Sequence, residues 1–544
     1  MLSAKLVLHN NLEMKTDNTP IRQNGERLTK VNDSFLPTKS GFTTRLSKLR
    51  VKWSNENGRA TGMGGLAYFV EFLQTTGLFE SRVRDCPLSY ESNNAPSKLD
   101  ILGVVVLSVL RGHTRYAHMS ALCGSELDSK LLGMSKIPSE DSVRCALSRL
   151  LQTKKNEEAT RLWLDRSFDQ LSHDCLKMPW VLDVDVTVKP LYGKQEGAVL
   201  GYNPAKPGRP SHAYHSFWVG HLRLCLDVQV HPGNETAGSF GLSALVNWLQ
   251  RTPKSGLPKF VRGDIGYGTQ TWMQDLEALK MPYLFKLKQT KGVKELVRLS
   301  ELQSEWEQGI GSWQYCESTL KLSSWDCERR VVVYRRAHHR RRAPIKAVAS
   351  LPGSIEQFEL LPLEVIEEGA LSYEYAVYVT TLTEDASDIR SLYNPRGDNE
   401  NCYDEMKNQW GWGGVTLKDL GRSELMARLI ALIYKWWSIY TKLVDETVAR
   451  EAITSRPMLL IHTAKVSMHQ SIATLTVFCA HAQAQRIKEM LENASERLKK
   501  WASLTAEQLK IQSIWSRIIQ HILLNHQTIG GGKNRAPPQI ARQN

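Results

Sequence analysis

Trp180-Val-Leu-Asp-Val-Asp-Val-Thr-Val188, near the middle of the chain, alternates without a break. Leu182, Val184, Val186 and Val188 fall on one side, and Asp183, Asp185 and Thr187 on the other. A period of two belongs to a β-strand. The pattern predicts a half-buried strand with carboxylates on its open face. More strands are predicted at 215–219, 222–230, 259–264 and 283–288. The helices 239–251 and 270–279 fall between them. Strands first, then strands alternating with helices, indicate a mixed α/β sheet.

The flanks differ from this core. Residues 1–60 are polar, basic and aperiodic, and read as a flexible arm. Apolar residues recur at helical spacing from Leu66 to Leu73. Further helices are expected at 99–110, 125–132 and 139–151, the last with Ser139 as N-cap. Residues 61–175 read as a helical DNA-binding domain, either helix-turn-helix-like or a plain bundle. Val331 to Tyr334, Ile345 to Ala349 and Tyr373 to Thr380 are β-rich. After Thr381 the pattern is mostly helical. The tail from Gly530 is Gly/Pro/basic.

Composition narrows the class. The 544 residues carry 70 Lys and Arg against 56 Asp and Glu, a formal charge of +14. A basic balance favours a polyanionic partner, nucleic acid before membrane. The apolar run 101–110 is too short to span a bilayer, and Arg428 and Lys435 interrupt the longer one at 425–443. The nine cysteines include no CxxC pair, so neither a zinc site nor a disulfide framework is indicated. These features predict a cytoplasmic protein with reduced thiols. The charge is uneven. Residues 1–60 hold 11 basic against 5 acidic side chains and residues 481–544 hold 10 against 4, which leaves the middle nearly neutral.

Three acids stand out. Asp185 lies mid-strand. Asp264 ends a strand in Val261-Arg-Gly-Asp-Ile-Gly-Tyr-Gly268, whose glycines would let a ligand approach the backbone. Glu400 lies just inside a helix predicted to begin at Pro395. Taken singly, each has a structural alternative as a turn former or dipole partner. The segment Tyr393-Asn-Pro-Arg396-Gly-Asp-Asn-Glu400-Asn-Cys-Tyr-Asp-Glu-Met-Lys407 raises their standing. Arg396, Glu400 and Lys407 fall near one helical face. Arg offers a planar fork to phosphate and Lys a point charge.

This Y-x2-R-x3-E-x6-K spacing resembles the YREK signature of DDE transposases of bacterial insertion sequences, the insertion-sequence-four group and its relatives. Leu182-Asp-Val-Asp185-Val-Thr187 resembles that group's first-aspartate strand, and Gly263-Asp264-Ile-Gly-Tyr267 its second. Tyr192-Gly-Lys-Gln-Glu-Gly197 and Gly201-Tyr-Asn-Pro-Ala-Lys-Pro-Gly-Arg-Pro-Ser-His212 are also similar. Asp183 shares the face of Asp185, which is preferred as the first ligand because it stands two before Thr187.

The resemblance covers about residues 64–445. It implies an RNase H-like mixed-sheet catalytic core interrupted by a β-rich insertion domain, with helical N- and C-terminal regions. The expected core parts are 176–298 and 373–445, the insertion 299–372, the C-terminal helical region 446–529 and the basic tail 530–544. It implies cut-and-paste transposition. Asp185, Asp264 and Glu400 would hold two Mg²⁺ (with Mn²⁺ a possible substitute), and Tyr393, Arg396 and Lys407 would contact DNA phosphates. The expected partners are double-stranded DNA, as transposon terminal inverted repeats and as target, and a second copy in a DNA-bound homodimer. The expected location is the bacterial cytoplasm, at the nucleoid.

The insertion adds an arginine-rich run, Arg329 to Arg342, without one acid. Arg335, Arg336, Arg340, Arg341 and Arg342 are predicted DNA contacts. Trp313 and Trp325 are possible platforms for a flipped base, as an insertion-domain tryptophan is in relatives, with sheet packing as the alternative. Two other functions fit the same sequence: an inactive, transposase-derived DNA-binding protein, and an RNase H-like nuclease without strand transfer.

Overall fold

The computed structural model describes residues 42–43, 50–51 and 59–525, except 204–205, 236, 238–240, 339–371, 416, 471, 480 and 506–512. Most of the expected basic arm, the tail from 530, the expected strand 345–349, and Arg340, Arg341 and Arg342 lie outside the described residues. The chain divides into two units, 1–56 and 57–544. In the first, β1 (Phe42–Thr43) and β2 (Arg50–Val51) pair antiparallel.

Among the described residues, the second unit is built on a nine-stranded sheet. Its strands are β4 (Leu182–Pro190), β5 (Ser211–Val219), β6 (Leu224–Pro232), β7 (Val261–Gly263), β8 (Tyr283–Lys286), β9 (Glu307–Gln308), β10 (Trp313–Leu320), β11 (Arg329–His338) and β12 (Ser372–Thr380). Their order is β6-β5-β4-β7-β8-β12-β11-β10-β9. β6, β5 and β4 are antiparallel, while β7 and β8 run parallel to β4. An antiparallel meander followed by parallel strands on its inner edge is the RNase H-like core.

β9 to β11, in the expected β-rich insertion 299–372, do not form a sheet of their own. β12 pairs with both β8 and β11, so these strands extend the sheet that carries β4 and β7. Nor does β4 have an open face. It is central, and Asp183, Val184 and Asp185 are all buried. Its alternation is therefore not that of a half-exposed strand; the acids point into polar interior that the neighbouring elements supply.

Among the described residues, six α-helices precede the sheet: α1 (Leu66–Thr76), α2 (Leu78–Asp85), α3 (Lys98–Leu110), α4 (Glu126–Leu131), α5 (Glu140–Arg149) and α6 (Lys154–Ser172). Ser139 caps α5, its hydroxyl accepting from Ser142 N at 3.3 Å. Three helices, α7 (Gly241–Arg251), α8 (Gln270–Ala278) and α9 (Lys291–Gln303), lie between strands. After β12 come α10 (Ala386–Tyr393), α11 (Gly397–Asn408), α12 (Leu420–Val444) and α13 (Ala452–Leu459). The last described helices are α14 (Ala484–Ala502) and α15 (Ile514–Asn525).

α12 is the hub. Asp419 caps it through Arg422 N at 2.7 Å, and nearly every residue from Leu425 to Val444 is buried. The cations in this apolar run are answered from neighbouring elements. Arg428 pairs with Asp165 of α6 at 2.5 Å and Asp227 of β6 at 3.0 Å. Lys435 donates to Ser172 Oγ at 2.6 Å and Phe168 O at 3.1 Å. Burial still pulls its pKa down to about 8. The N-terminal helices share one continuous apolar core with α12 and the sheet, so 61–175 does not stand apart as an independent body.

The expected C-terminal helical region 446–529 holds α13, α14 and α15 and, between α13 and α14, a hairpin. β13 (Thr463–His469) and β14 (Ile472–Phe478) pair antiparallel, and β13 also pairs with β3 (Ala60–Thr61). Gln470 takes a left-handed conformation, φ 47°, at the turn.

Candidate active site

β4 and β7 are parallel neighbours with Val184 opposite Gly263. One step further along each chain come Asp185 and Asp264, so the two carboxylates lie side by side. Asp185 faces Ser216 across β5. Its Oδ1 accepts from Val186 N at 2.8 Å, and Asp264 Oδ1 accepts from Gly266 N at 2.9 Å. Burial, then the charge of Asp264, push the Asp185 pKa up to about 7, against the opposing pull of Arg396.

Asp183 has a different task. It is fully buried and held by Arg262 of β7, Nε to Oδ1 at 2.5 Å and Nη2 to Oδ2 at 2.9 Å. Arg262 also donates to Leu392 O, which ties α10 to the sheet. Asp183 is thus occupied in a structural ion pair, and Asp185 is the acid of this strand that faces Asp264.

The Tyr393–Lys407 segment is not one helix from Pro395. Tyr393 ends α10, Asn394–Arg396 form a 3₁₀ turn, and α11 begins at Gly397. The turn delivers Arg396 between the acids. Its Nη1 reaches Asp185 Oδ2 at 3.2 Å and its Nη2 reaches Glu400 Oε1 at 2.8 Å. Burial opposes that charge, yet Tyr393, Asp185, Asp264 and Glu400 hold the Arg396 pKa above its ordinary value. Glu400 is otherwise exposed. Among the described residues no group of three or more His, Cys, Asp or Glu is close enough to hold a metal. Arg396 lies between the Asp185 and Glu400 carboxylates and binds both.

Lys407, half-buried in the last turn of α11, feels the charges of Asp404 and Asp185, but burial dominates and lowers its pKa. Tyr393 packs on Tyr378, ring centroids 4.7 Å apart, and burial raises its pKa above the ordinary value.

Further residues complete the site. Tyr403 of α11 hydrogen-bonds Ser216 at 2.7 Å, and Trp218 Nε1 donates to Ser216 Oγ at 2.8 Å. Tyr267 is buried beside the acids. Its ring explains Gly263, because a Cβ there would sit 2.8 Å from it. The space next to Gly266 and Gly268 is likewise taken, by Ala237 and Leu287. These glycines serve packing rather than the approach of a ligand. Tyr403 sits three residues after Glu400, next to the helical face that carries it, a placement readable from spacing alone; the partnership with Ser216 is not.

With this geometry in view, the family described as Transposase DDE domain group 1 matches residues 43–500. The chain belongs to the DDE transposases. No curated protein matches it. A cryo-EM structure of a piggyBac transposase synaptic complex with hairpin DNA is similar at 10% identity over 85% of each chain, with a TM-score of 0.34.

Other expected contacts of this transposase lie away from the acids. Arg335 and Arg336 are not free. Arg335 pairs with Glu301 at 2.6 Å and stacks on Trp306, 4.0 Å from its centroid. Arg336 pairs with Glu374 at 2.6 Å. Arg329 is buried and bound by Glu277, and Arg330 is held by Glu317. The run is acid-free only in sequence; each of its described arginines, 329, 330, 335 and 336, has an acid partner brought by an adjacent strand or helix. Trp313 is buried between Arg336 and Arg390, at 4.8 and 3.9 Å, and Trp325 is buried under Arg329. Neither ring presents a free face to a base. Among the described residues no helix is long and apolar enough to cross a membrane.

Proposed function

We propose that this chain is a transposase of the insertion-sequence type. It binds transposon ends as a homodimer, cleaves them and joins them to target DNA, with Asp185, Asp264 and Glu400 as ligands for two Mg²⁺. The observation that carries this reading is the pairing of Asp185 with Asp264 on adjacent parallel strands, with Arg396 bridging to Glu400. Two neighbouring carboxylates, one with its pKa pushed up to about 7, form a site that a divalent cation relieves. The donor set therefore fits hard cations that take one or two carboxylates plus substrate phosphates. Bound Mg²⁺ supplies charge stabilisation for the attacking and leaving oxygens of an in-line phosphoryl displacement.

The chain's own groups position the substrate. Arg396 exchanges its carboxylates for a phosphate oxygen, to which its planar fork is matched, and this frees Glu400 to turn toward Asp185. Lys407 adds a point charge along the same helix. Tyr393, wedged on Tyr378, fixes the turn from which Arg396 projects. Arg262 holds β4, β7 and α10 in register, which sets the spacing of the two aspartates.

The test uses the full chain, a labelled transposon end, a plasmid target and Mg²⁺. Joined product is expected, and Asp185→Asn should lose it while still binding the end. Cleavage without joining would make the protein a nuclease. A stable uncut complex would make it a DNA-binding protein.

A further inference from the structure

The edges of the two sheets are treated differently. On the nine-stranded sheet, β9 is only two residues long and carries Glu307. At the other edge Val230 N of β6 donates to Glu424 of α12 at 3.2 Å, so a helix covers it. Short, charged or covered edges are how proteins prevent unwanted strand pairing. The small sheet, ordered β14-β13-β3, has no such device on β14. Among the described residues nothing pairs with its outer edge. Ile472-Ala-Thr-Leu-Thr-Val-Phe478 contains no charge and no proline. Ile472 is 68% exposed and Phe478 54% exposed.

The sequence of β14 is also complementary to itself. Antiparallel pairing centred on Leu475 sets Ile472 opposite Phe478, Ala473 opposite Val477 and Thr474 opposite Thr476, with Leu475 opposite its own copy. Aromatic with β-branched, aliphatic with aliphatic and threonine with threonine are favoured cross-strand neighbours. Directly opposed residues share a face, so the exposed Ile472 and Phe478 cover each other twice. Such a contact is isologous and closes on itself, giving a dimer rather than a filament.

We infer that β14 is the surface through which two copies of this chain associate, by antiparallel edge pairing about a two-fold axis at Leu475. The two small sheets then become one six-stranded sheet. This gives a surface to the dimer proposed above but uses none of its chemistry.

Sedimentation velocity of the full chain without DNA, at micromolar concentration, tests it. The wild type should sediment at twice 61.6 kDa. Thr474→Lys with Thr476→Lys sets lysine against lysine across the axis and should halve the mass. Thr474→Lys with Thr476→Glu sets lysine against glutamate and should restore the dimer. Both threonines are exposed, and circular dichroism confirms that each variant is folded. A monomeric wild type, whether β14 stays open or is covered by another segment of the same chain, overturns the proposal. So does a Lys/Lys variant that stays dimeric, or a Lys/Glu variant that stays monomeric. End cleavage by Asp185→Asn is read separately, so the catalytic reading and the interface stand or fall apart.

Discussion

The β4–β7 pair and the strand β11 both carry dense charge, yet they use it in opposite ways. Along β11, each described arginine from Arg329 to Arg336 has an acid partner from another element: Glu277, Glu317, Glu301 or Glu374. On β4 and β7, Asp183 is matched by Arg262, but Asp185 sits next to another acid and shares one arginine with Glu400. Charge in a sequence is therefore not charge available to a ligand. What marks a candidate site is a like-charged neighbour in a buried setting, with fewer cations than acids to answer it.

The sharpest way to break this contrast lies within one strand. Asp183→Ala strands the Arg262 guanidinium in the interior and should cost about 3–5 kcal/mol, read by chemical denaturation. Asp185→Asn should cost no stability in metal-free buffer. Equal losses at both positions would erase the distinction between the structural and the functional acid.

A slightly smaller effect is expected from pH. The folded pKa of Asp185 is raised from 3.8 to about 7, so the folded state binds the extra proton. The associated stability is present below the ordinary carboxylate value and lost as pH rises through about 7. At about 1.4 kcal/mol per unit, the metal-free protein should lose at most a few kcal/mol across that window. Asp185→Asn should flatten this part of the profile, and added Mg²⁺ should oppose the loss. A profile identical in the variant would remove Asp185 as its source.

The smallest effects belong to β11. Arg329→Ala breaks a buried bidentate pair and should cost about 2 kcal/mol. Arg336→Ala removes an exposed pair and should cost less than about 1 kcal/mol. Neither should change the salt dependence of DNA binding. A fall of about one in the slope for Arg336→Ala would mean that it leaves Glu374 for a phosphate.

Local pattern carried much of this molecule. Alternation located β4, and the Tyr393–Lys407 spacing placed Arg396 and Glu400 within reach of each other. Ser139 announced the start of α5. What pattern could not carry was partnership. No local signal ties Arg262 to Asp183, or Glu301 to Arg335, because each pair is joined by the sheet or by a helix packed on it. The extension of the core sheet by β9 to β11 was hidden for the same reason, since strand order is a tertiary fact. The β13–β14 hairpin is different. Its β-branched alternation from Ile472 to Phe478 was readable, but the surrounding helical pattern outweighed it.

The return of the chain through β12 sets a clock for assembly. β8 keeps an open edge until β12 is made, and α11 with Glu400 follows only after that. At about 5–20 residues per second, synthesis leaves Asp185 waiting roughly 10–40 seconds for Glu400. During that interval a nascent chain gains Asp264 but still lacks Glu400. The candidate site is therefore completed late, after most of the sheet has formed, and a chain truncated before β12 lacks the segment that carries Arg396 and Glu400.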